Sequence, residues 1–434
     1  MILAGGALVA GYFVQVQDAA AESRDFAETA PVAAKSPELD GVRAAVGTFL
    51  EGHVELTIDD RAVSVAWTDL GLGLDPTSIG RAQLAGDRFA GFVPVSIDRE
   101  KAAQALEALK QTHDRAPANA YMDLEARTVH ADVPGWGLDI YESISVIEAA
   151  ARRGHTEVAL EGAEIPAEIG KKDLGIEDIS TVISTFTTKF SVAEKSRNSN
   201  LKLLATHLDG RVLQPGEPFS FNETTGDRTE KEGYKMAHVI SQGEMVDGMA
   251  GGSCQISTTL HGAAFFAGLE IVGATPHSRP STYVTMGLDA TVVYPELDLQ
   301  LENPFDFPVV IHFKVARGEA TVEILGKEKP FDKIAFEATV NKRIPFDTLT
   351  REDDNIAIGN MVIDQPGYPG YRVTRRRIYY KGDDEVKRDT WNIRYSPVVE
   401  YVRMGVNPNP NLPPPKQKKA HGPRPAGGTR RIEQ

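Results

Sequence analysis

Residues 251–260 read Gly-Gly-Ser-Cys-Gln-Ile-Ser-Thr-Thr-Leu and open the most informative segment of the chain. Two glycines and a small polar residue precede the cysteine, and a helical pattern follows it. The apolar positions recur at the i, i+4, i+7, i+8, i+11 spacing of a buried helical face, at Ile256, Leu260, Ala263, Ala264 and Ala267. The pattern predicts a helix that ends near Gly268 and has Cys254 at its amino terminus, or one residue before it.

Cys254 has the sequence environment of a reactive thiol. Unpaired backbone N–H groups and the helix dipole favour a thiolate at this position and lower the pKa of a cysteine below its usual ~8.5. The glycines allow a strained turn and the close approach of a substrate backbone, and nearby N–H groups can stabilise an oxyanion. A nucleophile is therefore one interpretation of Cys254, and a thiol buried in the core is the other.

A thiol nucleophile needs a general base and a group that orients this base. His277 follows in Thr-Pro-His-Ser-Arg-Pro, residues 275–280, which we expect to be extended after the helix ends. Asp289 heads the β-branched run Ala-Thr-Val-Val, residues 290–293, which predicts a second strand. The order Cys, His, Asp along a helix and two strands would bring the three side chains together. Three other histidines compete for the role of base, and we expect them to be packing or surface residues: His238, His261 and His312.

The composition is that of a soluble globular protein, with 434 residues, 41% apolar and 25% charged. This length predicts about three domains, and the net charge of −14 argues against a nucleic-acid-binding role. A single cysteine cannot form an intramolecular disulfide or a CxxC metal knuckle. Phosphate-binding, HExxH and EF-hand motifs are absent from the sequence, so we expect neither a metal nor a cofactor.

Both ends of the chain differ in composition from the middle. Residues 1–17 are apolar and uncharged, but shorter than the ~20 residues of a full span. They predict a signal remnant or membrane anchor that lacks its basic upstream part, with a buried helix as the alternative. Residues 18–37 predict a polar linker, and the proline-rich, basic residues 407–434 a disordered tail. We therefore expect an extracytoplasmic protein, on the periplasmic or cell-wall side of the membrane.

A weak internal repeat precedes the cysteine segment. One alternating run leads to the Gly-Leu-Asp that ends at Asp75, and another leads to the Gly-Leu-Asp that ends at Asp139. We expect two small α+β repeats, residues 38–104 and 105–172, with helices over 98–113 and 141–153. The predicted fold class is α+β and multi-domain: these repeats, a central α+β domain with the cysteine at a helix amino terminus, and a mostly β carboxy-terminal module.

Several motifs of the central region, in this order, resemble the VanW domain family. They are Pro-Gly-Glu-Pro-Phe-Ser-Phe-Asn at 215–222, Gly-Asp-Arg-Thr at 226–229, Gly-Gly-Ser-Cys-Gln-Ile-Ser-Thr-Thr-Leu at 251–260, His-Ser-Arg-Pro at 277–280 and Gly-Leu-Asp-Ala-Thr-Val at 287–292. The resemblance assigns residues 183–328 to a VanW-like domain. The repeats before it resemble peptidoglycan-binding repeats, and residues 329–406 loosely resemble a G5 module.

Some members of this family act as L,D-transpeptidases through the motif cysteine. The resemblance therefore implies cell-wall acyl transfer through a cysteine thioester that cross-links peptidoglycan stem peptides, with Cys254 as nucleophile, His277 as base and Asp289 as orienting group. Its motifs, together with the Tyr-Val motif at 283–284, also supply the candidate substrate-binding residues: Asn222, Arg228, Gly252, Ser253, Gln255, Ser257, Thr258, Ser278, Arg279 and Tyr283. The expected partners are peptidoglycan stem peptides and glycan, together with the cytoplasmic membrane.

Two other functions use the same residues. In one, the protein is a non-catalytic peptidoglycan-binding or glycopeptide-resistance accessory protein, and Cys254 is a packed thiol. In the other, water replaces the acceptor amine, and the protein is a peptidoglycan amidase or endopeptidase.

Overall fold

A computed structural model describes residues 37–434 except for 87, 242–243, 410 and 414–428. The predicted membrane segment, 1–17, and the predicted linker up to residue 36 lie outside the described residues. No helix in the described part of the chain is long and apolar enough to cross a membrane. The chain divides into two compact units, one formed by residues up to 114 with 137–163 and the other by 115–136 with 164–434.

Helices and strands are mixed along the described residues. The helices are α1 (Pro37–Leu50), α2 (Arg99–His113), α3 (Ile140–Arg152), α4 (Lys195–Leu208), α5 (Phe221–Thr225) and α6 (Ser253–Ala267). The first strands are β1 (His53–Ile58), β2 (Arg61–Ala66), β3 (Leu72–Leu74), β4 (Leu84–Ala85), β5 (Arg88–Phe89), β6 (Val95–Ile97), β7 (Tyr121–Asp123), β8 (Thr128–His130), β9 (Gly135–Leu138), β10 (Glu157–Ala159) and β11 (Gly162–Ile165). The strands of the central region are β12 (Thr181–Lys189), β13 (Arg211–Leu213), β14 (Pro218–Ser220), β15 (Met236–Ser241), β16 (Glu244–Met249), β17 (Glu270–Gly273), β18 (Gln300–Glu302), β19 (Val309–Ala316) and β20 (Glu319–Gly326). The last strands are β21 (Lys333–Ile344), β22 (Thr348–Ala357), β23 (Met361–Gln365), β24 (Gly370–Lys381), β25 (Asp384–Tyr395), β26 (Glu400–Asn407) and β27 (Thr429–Glu433).

The first unit is built on a three-stranded sheet in the order β10-β1-β2. Strand β1 alternates exposed and buried residues, as expected for a strand with one face on the core. Helices α2 and α3 start within one residue of the predicted positions, and there Asp98 and Asp139 accept hydrogen bonds from backbone N–H groups of the first turn. The structure differs from the prediction of two separate repeats. Strand β10 comes from the predicted second repeat but pairs in parallel with β1 of the first.

The second unit includes a hairpin that the sequence places in the second predicted repeat. Strands β7 and β8 form this hairpin, and its Met122 and Val129 pack on a small cluster around Val310. Arg127 adds an ion pair, with its Nη2 3.1 Å from Glu323 Oε1. Residues 115–136 therefore belong to the unit that carries Cys254.

The centre of the second unit is an antiparallel sheet in the order β12-β20-β19-β13, with helices α4 and α6 packed in the same core. Helix α6 agrees with its prediction: the five apolar positions are 0–1% exposed, and the helix ends at Gly268, which has φ +87°. Strand β14 ends at Ser220 and does not continue through Phe221. Ser220 Oγ accepts the N–H of Glu223 at 3.0 Å, and this cap starts helix α5 at Phe221.

The carboxy-terminal part is rich in strands, as predicted. Two sheets form it, with strand orders β25-β24-β21-β27 and β22-β26-β23. The structure differs from the prediction of a disordered tail at its end, where residues 429–433 form β27. This strand pairs with the edge of β21, and Ile432 packs on the neighbouring core cluster. The edge of β21 offers backbone hydrogen-bond partners to this basic segment.

A shared cluster joins helix α6 to the carboxy-terminal sheet. Phe265 of the helix lies edge-to-face on Phe336, with ring centroids 5.7 Å apart. Two buried arginines of β24 cover the same ring, Arg375 at 5.5 Å and Arg377 at 5.2 Å from its centroid. Arg377 also donates to the Leu269 carbonyl, just beyond the end of the helix, at 2.7 Å. The helix that carries Cys254 in its first turn therefore packs against the carboxy-terminal sheet at its other end.

Candidate active site

Cys254 is the second residue of helix α6 and lines a cavity of about 1110 Å³. The turn before it depends on both glycines. A Cβ on Gly251 would lie 2.7 Å from the His238 carbonyl oxygen, and Gly252 has φ +112°. The cysteine side chain is half-buried, and its Sγ lies 3.6 Å from the carbonyl oxygen of Val292. The glycines therefore set the turn that places the thiol at the cavity wall.

Gly252→Ala is expected to lower the free energy of unfolding by about 3 kcal/mol. A positive φ costs an L-residue about 1–2 kcal/mol, and the new Cβ would lie 2.9 Å from buried Leu201, which adds an overpacking cost of about 1–3 kcal/mol. Chemical denaturation measures the change. Gly216→Ala is the control, because Gly216 has φ +71° but no atom within 4 Å of a Cβ. This variant should lose only about 1 kcal/mol, and equal losses in both would contradict the steric argument.

The segment that carries His277 and Asp289 is irregular, which corrects the prediction of two strands. Isolated bridges replace them, and one joins Thr275 to Thr291. Pro276 and Pro280 remove two ladder donors, and Gly287 turns the chain with φ +96°. The predicted neighbourhood of the two side chains is nevertheless present, because the bridge aligns their segments.

His277 and Asp289 form a buried pair. The Nδ1 of His277 lies 3.0 Å from Asp289 Oδ2, and the same oxygen accepts the His277 backbone N–H at 2.7 Å. These side chains are 4% and 1% exposed. The imidazole also hydrogen-bonds to Cys254, while Tyr283 Oη lies 3.3 Å from its Nε2. Asp289 therefore fixes the ring with Nδ1 directed toward the carboxylate, which leaves Nε2 for the thiol and Tyr283.

The electrostatics of Cys254, His277 and Asp289 favour the charged form of the Cys254–His277 pair over its neutral form. Burial opposes ionisation of Cys254, but the hydrogen bond and charge of His277 outweigh it and lower the pKa of the thiol below its ordinary value. Burial also opposes protonation of His277, but the hydrogen bonds to Asp289 and Cys254 raise its pKa to about 9. Burial raises the pKa of Asp289, and the contact with His277 reverses this and leaves it lowered. These shifts favour a thiolate that faces an imidazolium over a neutral thiol that faces a neutral imidazole.

The backbone at the start of helix α6 offers a donor to the cavity. The N–H of Ser253 donates to Ala250 at 3.2 Å and the N–H of Gln255 to Gly252 at 2.9 Å. Between them, the Cys254 N–H has no hydrogen-bond acceptor among the described residues. An N–H on the residue that carries the thiol can donate to an oxygen atom bound beside the sulfur.

Six of the candidate substrate-binding residues line the cavity: Gly252, Ser253, Gln255, Arg228, Arg279 and Tyr283. Two of these have their polar groups engaged within the protein. Ser253 Oγ donates to the Ala250 carbonyl at 2.7 Å, and the Gln255 amide accepts from Arg197 at 2.7 Å and donates to Thr188 at 2.9 Å. The basic lining residues are Lys189, Arg197, Arg228 and Arg279, and the acidic ones Glu194 and Asp227. The described wall of the cavity is thus more basic than acidic.

Four candidates do not line the cavity: Asn222, Ser257, Thr258 and Ser278. Ser257 and Thr258 are fully buried. The Ser257 hydroxyl donates to the Ala290 carbonyl at 2.7 Å, and Thr258 Oγ1 accepts the Ala290 N–H at 3.0 Å. Both hydroxyls therefore hold the first turns of helix α6 against the residue that follows Asp289. Ser278 is exposed beside the site.

Asn222 acts on the site through Arg228. Its Oδ1 accepts from Arg228 at 2.9 Å, and its side-chain amide donates to the Leu297 carbonyl at 2.9 Å. Thr225 is the second acceptor for the guanidinium, at 2.8 Å. Burial lowers the pKa of Arg228, whose charge in turn favours the Cys254 thiolate. A buried cation held by two neutral acceptors faces the cavity beside the thiol.

The competing histidines occupy other places. His261 is fully buried, its Nδ1 2.8 Å from the Leu288 carbonyl oxygen, and burial lowers its pKa to about 3. His312 lies in β19 with Nδ1 2.8 Å from Asp209. His238 is in β15 and lines the cavity. Only His277 contacts both Cys254 and a buried carboxylate among the described histidines.

Sequence reasoning missed the contributions of the carboxy-terminal module. Tyr368, Pro369 and Tyr371 line the cavity, and the hydroxyl of Tyr395 contacts Asp289. None of them belongs to a motif with catalytic spacing, so no local signal identified them. Among the described residues, no group of three or more His, Cys, Asp and Glu side chains is arranged to hold a metal ion.

Three family models match the chain in sequence. The peptidoglycan binding domain model matches residues 75–159, the VanW like protein model residues 196–325, and the G5 domain model residues 337–407. The first match crosses the boundary predicted between the two repeats, in agreement with their common sheet. The match to the G5 model supports the predicted resemblance of the carboxy-terminal module.

The chain belongs to the VanW-like protein family. It is 32% identical over 236 residues to the uncharacterized protein YoaR of Bacillus subtilis (strain 168), and the aligned region covers 54% of this chain and 76% of that protein. It is 28% identical over 120 residues to the vancomycin B-type resistance protein VanW of Enterococcus faecalis (strain ATCC 700802 / V583), and this aligned region covers 26% of this chain and 44% of that protein. A solved IgA1 protease G5 domain is 24% identical, covers 19% of this chain and 99% of that one, and has a TM-score of 0.14. The family resemblance predicted from the motifs is confirmed, and with it a peptidoglycan-associated protein of the cell-wall side.

Proposed function

We propose that this protein is a cysteine-dependent peptidoglycan L,D-transpeptidase. The observation that carries the proposal is the Cys254–His277–Asp289 arrangement at one wall of a cavity of about 1110 Å³. A thiol with lowered pKa, a histidine held by a buried carboxylate and a helix amino terminus are the parts that acyl transfer by a cysteine requires. The peptidoglycan binding domain match supports the choice of substrate.

The acylation step follows from this geometry. The Cys254 thiolate adds to the carbonyl carbon of the third stem residue, which is L-centred, and the carbonyl electrons move to an oxyanion beside the Cys254 N–H. When the oxyanion collapses, the C–N bond to the terminal D-Ala breaks and His277 gives its proton to the leaving amine. The products are a thioester on Cys254 and free D-Ala.

The second step reverses these roles. The amine of a neighbouring stem attacks the thioester carbon, neutral His277 takes the proton of this amine, and the C–S bond breaks. The new amide cross-links two stems, and the thiolate–imidazolium pair is restored. Stem peptides carry carboxylates, so the excess of basic side chains along the described cavity wall supports this substrate class.

Intact-protein mass spectrometry tests the proposal. The purified full chain is incubated with a muropeptide that has a tetrapeptide stem, and a matched sample receives the tripeptide stem, which lacks the bond to be broken. We expect an adduct on Cys254 equal to the tetrapeptide muropeptide less D-Ala, with cross-linked dimers in the products, and no adduct with the tripeptide stem.

Other outcomes would identify the alternative functions. If the tetrapeptide stems are hydrolysed to tripeptide stems and no dimers form, the protein is a peptidoglycan hydrolase that uses the same cysteine. Folded protein with an alkylatable thiol but neither adduct nor product would contradict catalysis and favour a peptidoglycan-binding accessory protein.

A further inference from the structure

The carboxy-terminal G5 module contacts the buried carboxylate of the candidate active site. Tyr395, the last residue of β25, is fully buried, and its hydroxyl donates to Asp289 Oδ1 at 2.5 Å. The same hydroxyl accepts the Gly287 N–H at 2.8 Å. The other oxygen of Asp289 holds the His277 ring and backbone. Tyr395 and His277 therefore divide the two oxygens of one carboxylate between them.

A second residue of the module holds the same turn. Arg375 of β24 is buried and donates to the Gly287 carbonyl at 2.9 Å, while its guanidinium lies 4.2 Å from the ring centroid of Trp391. Gly287 has φ +96°, and because a glycine has wide backbone freedom, contacts from outside the turn restrict it to this conformation. Tyr395 binds the N–H of Gly287 and Arg375 its carbonyl, so the module fixes both sides of the residue two positions before Asp289.

The contacts to Asp289 form one chain of groups. Tyr395 fixes the carboxylate, the carboxylate orients His277, and His277 maintains the Cys254 thiolate. A buried carboxylate with every acceptor site engaged keeps one orientation, whereas one with an unused oxygen can rotate.

We infer that Tyr395 is a positioning residue for the thiol site and that the G5 module is a structural part of this site. This inference builds on the proposed function, but it concerns the reactivity of the thiol and not the identity of the substrate. The module contributes to the cavity as well, because Tyr368 and Pro369 line its wall. A G5 segment in this chain therefore completes the site that the VanW segment begins.

Alkylation of Cys254 by iodoacetamide in the full chain tests the inference. Since Cys254 is the only cysteine, the reaction reports a single thiol. We expect Tyr395→Phe to slow alkylation at pH 7 by about 3- to 10-fold, the change that the loss of one hydrogen bond produces. The pH at which the thiol ionises should also move upward. Tyr379→Phe is the matched control, because Tyr379 is a buried tyrosine of the same sheet that donates to a different carboxylate, Asp389, at 2.6 Å.

A double-mutant cycle shows whether Tyr395 acts through Asp289. In an Asp289→Asn background, Tyr395→Phe should change the alkylation rate by less than about 2-fold, because residues that act through one another have non-additive effects. Three results would overturn the inference: an unchanged rate in Tyr395→Phe, an equal loss in Tyr379→Phe, or full additivity with Asp289→Asn. A wild-type protein that alkylates rapidly but forms no acyl-enzyme would defeat the transpeptidase proposal alone and leave these rates to decide the role of Tyr395.

Discussion

Cys254→Ser is expected to abolish the release of D-Ala and the formation of stem-peptide dimers, with a loss of at least about 10³-fold in rate. The physical reason is the state of the nucleophile. His277 lowers the pKa of the Cys254 thiol below its ordinary value, but the same environment leaves a serine hydroxyl protonated. Chromatography of the muropeptide products measures the change.

The fold must survive this substitution for the result to count. The Cys254 side chain is half-buried, and within the part of the chain that the structure describes its sulfur makes one hydrogen bond to the backbone, a long one of 3.6 Å to Val292. Cys254→Ser should therefore unfold within a few degrees of the wild type. A well-folded Cys254→Ser variant that still cross-links stems at a comparable rate would rule out the thioester mechanism.

His277→Asn is expected to slow alkylation of Cys254 at pH 7 by about 10- to 100-fold. Burial alone raises the pKa of the thiol, and the hydrogen bond and charge of His277 are the largest of the effects that reverse it. Without the imidazole, the pKa should rise, and each unit of rise lowers the thiolate fraction about tenfold. The measurement is the rate of iodoacetamide modification from pH 5 to pH 10, followed by mass spectrometry.

The sign of the pH dependence follows from the two shifted groups. The pKa of His277 is raised to about 9 in the folded protein. Its contribution to stability is therefore fully present at a pH below the pKa of this histidine in the unfolded chain, and it is lost as the pH rises through about 9. The pKa of Asp289 is lowered in the folded protein, so the stability that its carboxylate contributes is present at neutral pH. This contribution is lost as the pH falls through the lowered pKa of Asp289. We expect the thiolate–imidazolium pair of the wild type to persist between the pKa of Cys254 and the pKa of His277, about 9. Below this window the thiolate gains a proton, and above it the imidazolium loses one.

His312→Asn provides a matched control for this experiment. His312 is also a buried histidine beside a carboxylate, with Nδ1 2.8 Å from Asp209, but it lies in β19 and does not line the cavity of Cys254. This variant should keep the alkylation profile of the wild type. A flat response of His277→Asn, or an equal response of both variants, would contradict the assignment of His277 as the partner of the thiol.

The sequence contained the parts of the site that lie in continuous motifs. Cys254 could be placed at a helix amino terminus because two glycines precede a regular apolar pattern, and Asp289 because a polar residue heads a β-branched run. The secondary structure around His277 and Asp289 could not be predicted equally well. Prolines and a glycine with positive φ produce an irregular segment there, although the side chains still meet.

The remaining parts depend on contacts that are distant in the sequence. Tyr395 lies 106 positions from Asp289, and its neighbours follow an ordinary strand pattern, so no local signal distinguishes it from a core tyrosine. Ser257 and Thr258 stand in the motif and were therefore expected to bind substrate. Their burial against Ala290 shows that motif residues also serve to hold a segment in place. The parallel pairing of β1 with β10 also joins distant residues, and the weak repeat in the sequence predicted two separate units instead.

The packing of Phe265 restricts how the sequence of this protein can evolve. Its ring is packed from several sides by side chains of the carboxy-terminal sheet, including Phe336, Trp391 and the guanidinium groups of Arg375 and Arg377. A substitution at this ring or at any of its neighbours alters the fit on both sides of the boundary between the VanW and G5 matches. We therefore expect the two segments to be inherited as a pair, and a G5 segment transplanted from another protein to need matching changes around Phe265 before the thiol site is restored.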